Sequence, residues 1–233
     1  MPLADTAALL ADPTRAAFCQ ALLDRRAWTA GELARYAGVG AATTSEQLNR
    51  LVAGGLLAEE RQGRHRYVRL AGPEAAALVE ALASFAPGGD TPRTLREAGR
   101  QHAEARARTC YDHLAGRLGV ALADALVARG LVADSAGLAV TPRGLEWLAD
   151  TFGVRPAGGR RPFVRSCLDW TERRPHLAGV LGAALCTAAF ERDWVRRIGT
   201  GRALAVTPTG AQALTGLLAL PQDALATPQR PPT

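Results

Sequence analysis

Apolar residues near the N-terminus recur at helical spacing over residues 5–27. The pattern is interrupted at Asp12 and Pro13, which suit the cap and the first position of a new helix. The apolar positions of the segment are Leu9, Leu10, Phe18, Leu22 and Leu23. We therefore predict an opening helical segment that is broken once and packs one face against a core.

Two further helices are predicted on either side of a glycine turn. Thr29 and Glu32 have the spacing of a capping box, and they predict a helix over residues 30–37 that Gly38 ends. The next helix is predicted over residues 42–53. Its inward positions are Leu48, Leu51 and Val52, and its outward positions are Thr44, Gln47 and Arg50.

A basic hairpin follows these helices. Residues 57–61 and 64–70 have the pattern of two strands joined around Gln62 and Gly63, and residues 73–85 have that of an amphipathic helix. The basic side chains at the hairpin tip are Arg61, Arg64, His65 and Arg66. A short capped helix, a turn, a polar-faced helix and a basic hairpin together predict a winged helix-turn-helix.

Proline, glycine and polar residues cluster at positions 86–92 without periodicity, which indicates a domain boundary. We predict a winged helix-turn-helix domain over residues 1–86 and a second domain over residues 94–220. The proline-containing tail at 221–233 is expected to be flexible.

The second domain contains an internal repeat. Residues 113–119 read HLAGRLG and residues 176–182 read HLAGVLG, each preceded by Cys-x-Asp and followed by Leu-Ala-Val-Thr-Pro-x-Gly. The repeats cover about 108–153 and 165–218, and by analogy each resembles half of a winged-helix domain. The predicted fold class is therefore mainly α with short β-hairpins, a winged helix-turn-helix followed by a helical domain of two winged-helix-like repeats.

Composition narrows the function classes. The 233 residues carry a net charge of +6, and all 28 basic residues are arginine, so an extended polyanion is a natural partner. No signal peptide or apolar run of membrane-spanning length is found, which predicts a cytoplasmic protein without a membrane partner. The sequence also has no phosphate loop, nucleophile elbow or His-Glu-x-x-His, so we do not expect an enzyme.

The predicted recognition helix and hairpin offer a DNA-reading surface. Gln47 and Asn49 suit bidentate contacts to adenine, and Arg50 suits guanine. The hairpin arginines suit the phosphate backbone or a minor groove. The predicted DNA-binding set is Thr43, Thr44, Ser45, Gln47, Asn49, Arg50, Arg61, Arg64, His65 and Arg66. The alternative is a winged-helix protein-interaction module without sequence-specific DNA binding.

The N-terminal region, roughly residues 5–85, resembles the ArsR family of bacterial transcriptional regulators. The resemblance rests on LADPTR at 10–15, ELARYAGV at 32–39 and ATTSEQLNRL at 42–51. It implies a homodimer on palindromic double-stranded operator DNA that usually represses transcription and is released when an effector binds.

Two departures from that family matter. Its metal-sensing members carry Cys-x-Cys in the helix before the recognition helix, whereas residues 33–36 here read LARY, so that arsenic and cadmium site is absent. Many members also have a histidine in the recognition helix where this chain has Gln47, which leaves the operator sequence open.

The second domain offers candidate sensor residues, which are Cys110, Asp112, His113, Cys167, Asp169 and His176. Cys110 and His113 are three residues apart and would share one face of a helix, and Cys167 and His176 are their counterparts in the second repeat. Two cysteines and two histidines suit zinc or another soft divalent metal, with the aspartates as further ligands or as hydrogen-bond partners of the ligands.

Other interpretations of the second domain remain open. Cys110 or Cys167 could act as a thiol switch, helped by Arg108 and Arg165 nearby in sequence, or the cysteines could simply be core residues. A small organic effector could occupy a cleft between the repeats, with Trp147, Trp170 and Trp194 as lining or core residues. Cys19 and Cys186 lie in apolar runs and are expected to pack in the core.

Overall fold

The computed structural model describes residues 3–63, 65–85, 94–135, 137–156, 158–159, 161–199 and 201–225. These residues belong to two compact units, Met1–Leu82 and Ala83–Thr233. Arg64 of the predicted DNA-binding set, the predicted boundary at 86–92 and the tail from 226 onward lie outside the described residues. The predicted domain limits therefore stay predictions.

The first unit combines helices with one small sheet. Its elements are α1 (Leu3–Leu10), α2 (Pro13–Ala21), a 3-10 turn (Leu22–Asp24), β1 (Trp28–Thr29), α3 (Ala30–Ala37), α4 (Ala41–Ala53), β2 (Leu57–Gln62), β3 (His65–Leu70) and α5 (Pro73–Phe85), which begins in this unit. The strand β1 was not predicted; it pairs with β3 to give the antiparallel order β1-β3-β2.

The predicted caps account for the ends of these helices. The Asp12 carboxylate accepts the backbone N–H of Arg15 at 2.9 Å at the start of α2. Thr29 and Glu32 form the predicted capping box of α3, and Gly38 ends that helix with φ +67°, a conformation that glycine adopts without steric cost. The core of the unit is fully buried and apolar: Phe18, Leu22, Leu33, Leu48, Leu51 and Val68.

The second unit repeats one arrangement twice. After α6 (Leu95–Arg106), the first copy contains β4 (Arg108–Cys110), β5 (His113–Ala115), α7 (Gly116–Ala128), β6 (Val132–Ala133), β7 (Ala139–Val140) and α8 (Pro142–Phe152). The second copy contains β8 (Arg165–Leu168), β9 (Pro175–Ala178), α9 (Gly179–Glu191), β10 (Val195–Arg197), β11 (Leu204–Val206) and α10 (Pro208–Leu218), and α11 (Gln222–Leu225) follows. Each copy is thus a hairpin, a helix, a hairpin and a helix.

The Thr-Pro-x-Gly motif has the same structural role in each copy. Thr141 and Thr207 cap α8 and α10 by accepting the N–H of Gly144 and Gly210 at 3.0 and 2.9 Å. The two copies also pack across each other, with β5 against α9 and β9 against α7. A core rich in leucine joins the two copies, so the repeats form one folded unit rather than two separate ones.

Part of the predicted flexible tail is ordered. The helix α11 lies within residues 221–233, and its Ala224 and Leu225 are buried. The prediction was wrong at this point because Leu225 joins the apolar core of the second unit, a contact that the proline content of the tail does not reveal. Among the described residues, no helix is long and apolar enough to cross a membrane.

Candidate nucleic-acid interface and cysteine–histidine cluster

The helix α4 presents most of its predicted reading residues to solvent. Thr43, Ser45, Asn49 and Arg50 are exposed, and Gln47 is half-buried. Thr44 is an exception: it is buried, and its hydroxyl donates to the Gly40 carbonyl at 2.9 Å. The prediction that Thr44 faces outward was wrong, because the hydroxyl satisfies a backbone carbonyl in the first turn of the helix.

Gln47 is held in place by a buried arginine, Arg15, which lies outside the predicted DNA-binding set. Arg15 donates to the Gln47 side-chain oxygen at 2.6 Å and to the Ala8 carbonyl at 2.8 Å, and its Nε donates to the Leu9 carbonyl. The guanidinium therefore joins α1, α2 and α4. The amide nitrogen of Gln47 keeps its two donors for another partner.

The β2–β3 hairpin forms the wing, and one of its arginines contacts α4. Arg66 donates to the Asn49 side-chain oxygen at 2.8 Å and forms an ion pair with Glu59. Arg61 faces Arg66 across the hairpin, and both Arg61 and His65 are exposed. The wing and α4 are therefore linked into one polar surface.

Acidic side chains moderate the charge of this surface. Arg50 forms an ion pair with Glu46 at 2.7 Å, one helical turn away, while Arg66 is paired with Glu59. Neither glutamate belongs to the predicted DNA-binding set. An exposed pair of this kind contributes about 0–1 kcal/mol, so Arg50 can exchange Glu46 for a stronger partner at little cost.

The candidate sensor residues of the second unit lie on hairpins. Cys110 faces His113 in the β4–β5 register, and Cys167 faces His176 in the β8–β9 register. The prediction that Cys110 and His113 share a helical face was wrong, because Tyr111 adopts φ +54° and turns the chain back into a two-residue hairpin. The hairpin nevertheless places the cysteine and the histidine side by side.

The two hairpins bring their cysteines and histidines together. The potential ligand atoms of Cys110, His113, Cys167 and His176 all lie within 4.8 Å of one another. The two Sγ atoms are 3.9 Å apart, and the two imidazole centroids are 5.0 Å apart. Cys110 and both histidines are buried, while Cys167 is half-buried.

An aspartate accompanies each histidine. The Asp112 carboxylate lies 3.2 Å from Nδ1 of His113 and pairs with Arg161 at 2.6 Å. Burial opposes ionisation of Asp112, but hydrogen bonds with His113 and Arg161 outweigh it and lower its pKa to about 2. Asp169 lies 3.6 Å from Nδ1 of His176. Asp112 is therefore placed to orient the His113 imidazole, whereas Asp169 lies near His176 but beyond hydrogen-bond distance.

Asp169 also organises the backbone around the cluster. It pairs with Arg108 at 2.9 Å, both side chains being fully buried, and accepts the N–H of Gly116 at 2.7 Å. Burial alone would raise the pKa of Asp169, but the charge of Arg108 and hydrogen bonds from Thr171 and Gly116 keep that pKa below its usual range. Arg108 was expected from the sequence to favour a thiolate, but it pairs with Asp169 and lies over the Trp170 ring.

The protonation states of the cluster side chains follow from their surroundings. The contact with Cys110 lowers the pKa of Cys167, which favours a thiolate there, and burial lowers the pKa of His176, which favours a neutral imidazole. These are the protonation states of metal ligands. Burial raises the pKa of Cys19 to about 12, as expected for a packing thiol, and Cys186 is likewise buried.

A cavity in the core of the second unit bears on the organic-effector interpretation. It lies among Leu114, Leu118, Leu185, Trp194 and other side chains, and every described residue that lines it is apolar. Of Trp147, Trp170 and Trp194, only Trp194 is among the described residues that line it. A small-molecule site also needs polar groups that fix the ligand, so this cavity favours the core interpretation.

Comparison with known proteins identifies the kind of molecule. Residues 10–60 match the family described as Helix-turn-helix domain. The chain is 39% identical over 212 residues to the uncharacterized HTH-type transcriptional regulator YdfF of Bacillus subtilis (strain 168), a match that covers 89% of this chain and 93% of that protein.

Solved structures give partial likenesses. The transcriptional repressor BigR from Xylella fastidiosa is 30% identical, with 36% of this chain and 87% of that chain covered and a TM-score of 0.34. The cadmium metal-sensor CMTR from Mycobacterium tuberculosis is 32% identical, with 40% and 97% covered and a TM-score of 0.30. Because the match to YdfF extends over nearly the whole of both chains, this protein belongs to the HTH-type transcriptional regulators, as the sequence predicted, and is a DNA-binding regulator rather than an enzyme.

Proposed function

We propose that this regulator binds operator DNA by inserting α4 into a major groove while the β2–β3 wing contacts the flanking backbone. The observation that carries the proposal is the joint surface in which Arg66 of the wing bonds Asn49 of α4. Exposed side chains of α4 reach base edges, and the exposed Arg61 and His65 of the wing reach phosphates. Arg64 is assigned to the same wing from the sequence.

The DNA-bound form is a homodimer. Large apolar side chains at Leu3 of α1 and at Leu82 of α5 are exposed in the first unit of the single chain. A second copy that covers them removes this apolar area from water and presents two recognition helices to a palindrome. Two half-sites about one helical turn apart follow from this symmetry.

The second unit carries the effector response, and binding represses transcription until the effector is present. The first unit contains all the elements that we assign to DNA reading. The effector response therefore gives the second unit a role of its own. The cysteine–histidine cluster is the strongest candidate for the place where a metal or redox effector acts. A bacterial regulator of this kind works in the cytoplasm, where its operator lies.

Footprinting on the DNA upstream of the protein's own coding sequence tests the proposal. We expect protection of two half-sites related by a dyad, with a dimer seen by sedimentation on the same fragment. Protection of a single half-site would overturn the dimer, and binding that is unchanged in an Asn49→Ala, Arg50→Ala double variant would remove α4 as the reading element.

A further inference from the structure

The cluster of Cys110, His113, Cys167 and His176 draws equally on both repeats of the second unit. Each repeat contributes one cysteine and one histidine from directly opposed positions of a hairpin. The two hairpins meet because each also packs on the helix of the other copy: a Cβ atom at Gly182 of α9 would lie 3.1 Å from Cβ of His113. The cluster is therefore a product of the fold of the whole unit.

The spacing of the four donors fits a tetrahedral metal ion. Zn–S bonds of about 2.3 Å and Zn–N bonds of about 2.0–2.1 Å imply ligand–ligand distances of about 3.3–3.8 Å. The two Sγ atoms lie 3.9 Å apart, and all four donors lie within 4.8 Å of one another. Small side-chain adjustments close this difference. Two thiolates and two imidazoles are a donor set that soft divalent cations prefer.

The surroundings orient the histidines as ligands. When Nδ1 of His113 donates to Asp112, its Nε2 carries the lone pair that a metal needs. His176 is fully buried, its neighbours include the Cys167 thiol, and neither ring nitrogen has a nitrogen or oxygen hydrogen-bond partner within the described part of the chain. A buried imidazole without a strong hydrogen bond is costly in an ordinary core, and a cation bound at one ring nitrogen would satisfy that nitrogen.

We propose that Cys110, His113, Cys167 and His176 bind one Zn²⁺ ion or another soft divalent cation, which joins the two repeats of the second unit. Asp112 is a positioning residue, whose hydrogen bond with Nδ1 of His113 holds that imidazole in the ligand orientation. The proposal does not rest on how the first unit reads DNA. It is distinct from a site on the helix before the recognition helix, where residues 33–36 offer no thiol.

Cobalt titration of the full-length reduced protein, without DNA, tests the site. Co²⁺ serves as the probe because tetrahedral coordination gives intense d–d bands and thiolate coordination gives a separate charge-transfer band. We expect saturation at one Co²⁺ per chain with both bands, and their loss when one equivalent of Zn²⁺ is added. Absence of the tetrahedral bands in the wild-type protein would overturn the proposal.

Cysteine variants show which thiols are ligands. In Cys110→Ser and Cys167→Ser we expect the charge-transfer intensity per bound Co²⁺ to fall to about half, whereas Cys19→Ser and Cys186→Ser, which remove buried thiols elsewhere, leave it unchanged. Full intensity in both cluster variants would overturn the assignment. Circular dichroism reports whether each cluster variant folds. If one does not, the cobalt bands of the wild-type protein and its metal content per chain by mass spectrometry decide whether the site binds a metal ion.

A variant of Asp112 separates a role in orienting a ligand from a role in folding, because the first changes Co²⁺ affinity while the tetrahedral bands are kept. Asp112→Asn should retain the tetrahedral bands but bind Co²⁺ about 10–100-fold more weakly. Asp124→Asn removes an exposed carboxylate that pairs with Arg174 and should bind normally. A disulfide between Cys110 and Cys167 under mild oxidation, in a protein that binds no Co²⁺, would instead establish the thiol switch and overturn the metal site.

Discussion

Arg66 on the wing donates a hydrogen bond of 2.8 Å to Asn49 on the recognition helix. The same arginine pairs with Glu59 on the neighbouring strand, so it bridges two structural elements. This contact fixes the Asn49 side chain and ties the wing to α4. A side chain that is already oriented loses less conformational entropy when it contacts a base, so the bridge favours specific DNA reading.

We predict that Arg66→Ala changes sequence preference as well as affinity. The variant loses a basic side chain and also releases Asn49 from its hydrogen bond. Competition assays with operator fragments that carry single base-pair changes measure this effect. If Arg66→Ala weakened binding to every fragment by the same factor, the bridge would have no part in specificity.

Arg61→Ala should weaken binding to all DNA sequences alike. Arg61 is exposed at the wing and is expected to neutralise about one phosphate. Without it, the plot of log K against log salt should become shallower, its slope losing about 0.9 in magnitude. Arg129→Ala removes the same charge from an exposed position in the second unit and is the control. Equal effects of the two variants would mean that only net charge matters.

Gln47→Ala should mainly relax specificity. The Gln47 oxygen is held by Arg15, which leaves the amide nitrogen as a donor for a base edge. Loss of a good base contact reduces discrimination at one position by about 1–3 kcal/mol. Selection of bound sequences from a randomised pool checks this prediction, and an unchanged consensus would place Gln47 outside the reading surface.

Asp169→Asn should destabilise the second unit by about 3–5 kcal/mol, because it leaves the fully buried Arg108 without its charge partner. Denaturant unfolding of the full chain, followed by Trp fluorescence, measures the loss. The exposed pair of Arg196 and Asp193 is the control, and Asp193→Asn should give no resolvable change. Equal stability of both variants would contradict the structural role of the buried pair.

Gly182→Ala should disturb the cluster without removing a ligand. A Cβ atom there would lie 2.4 Å from the Leu177 carbonyl oxygen and 3.1 Å from Cβ of His113. We therefore expect weaker Co²⁺ binding in the titration described above. Gly216→Ala in α10 meets no atom within 4 Å and should bind Co²⁺ normally. Normal binding by Gly182→Ala would show that the hairpins can shift freely.

Local signals in the sequence predicted much of the fold. The capping box of Thr29 and Glu32 and the glycine at position 38 act within a few residues, so the limits of α3 are visible in the sequence. The strand β1 was missed because it has two residues and exists only through its pairing with β3. The repeat identified Cys110 and His113 together, but the positive φ of Tyr111 that makes their segment a hairpin has no signal there.

Long-range partners of the sites were beyond prediction. Arg15 reaches Gln47 across 32 positions, and Arg108 reaches Asp169 across 61. Each arginine looks like a surface residue in the sequence, and only the fold buries it. The sequence therefore indicated which residues carry the chemistry, while the residues that hold them in place emerged from the structure.

The most direct test of DNA reading is a titration of a fluorescent fragment from upstream of the protein's own coding sequence, at several salt concentrations, against random DNA of equal length. We predict tight binding that prefers the upstream fragment and weakens steeply with salt, because wing and helix contacts release counterions. Absence of binding to any DNA at every salt concentration would contradict the account and would favour a winged-helix module that binds proteins.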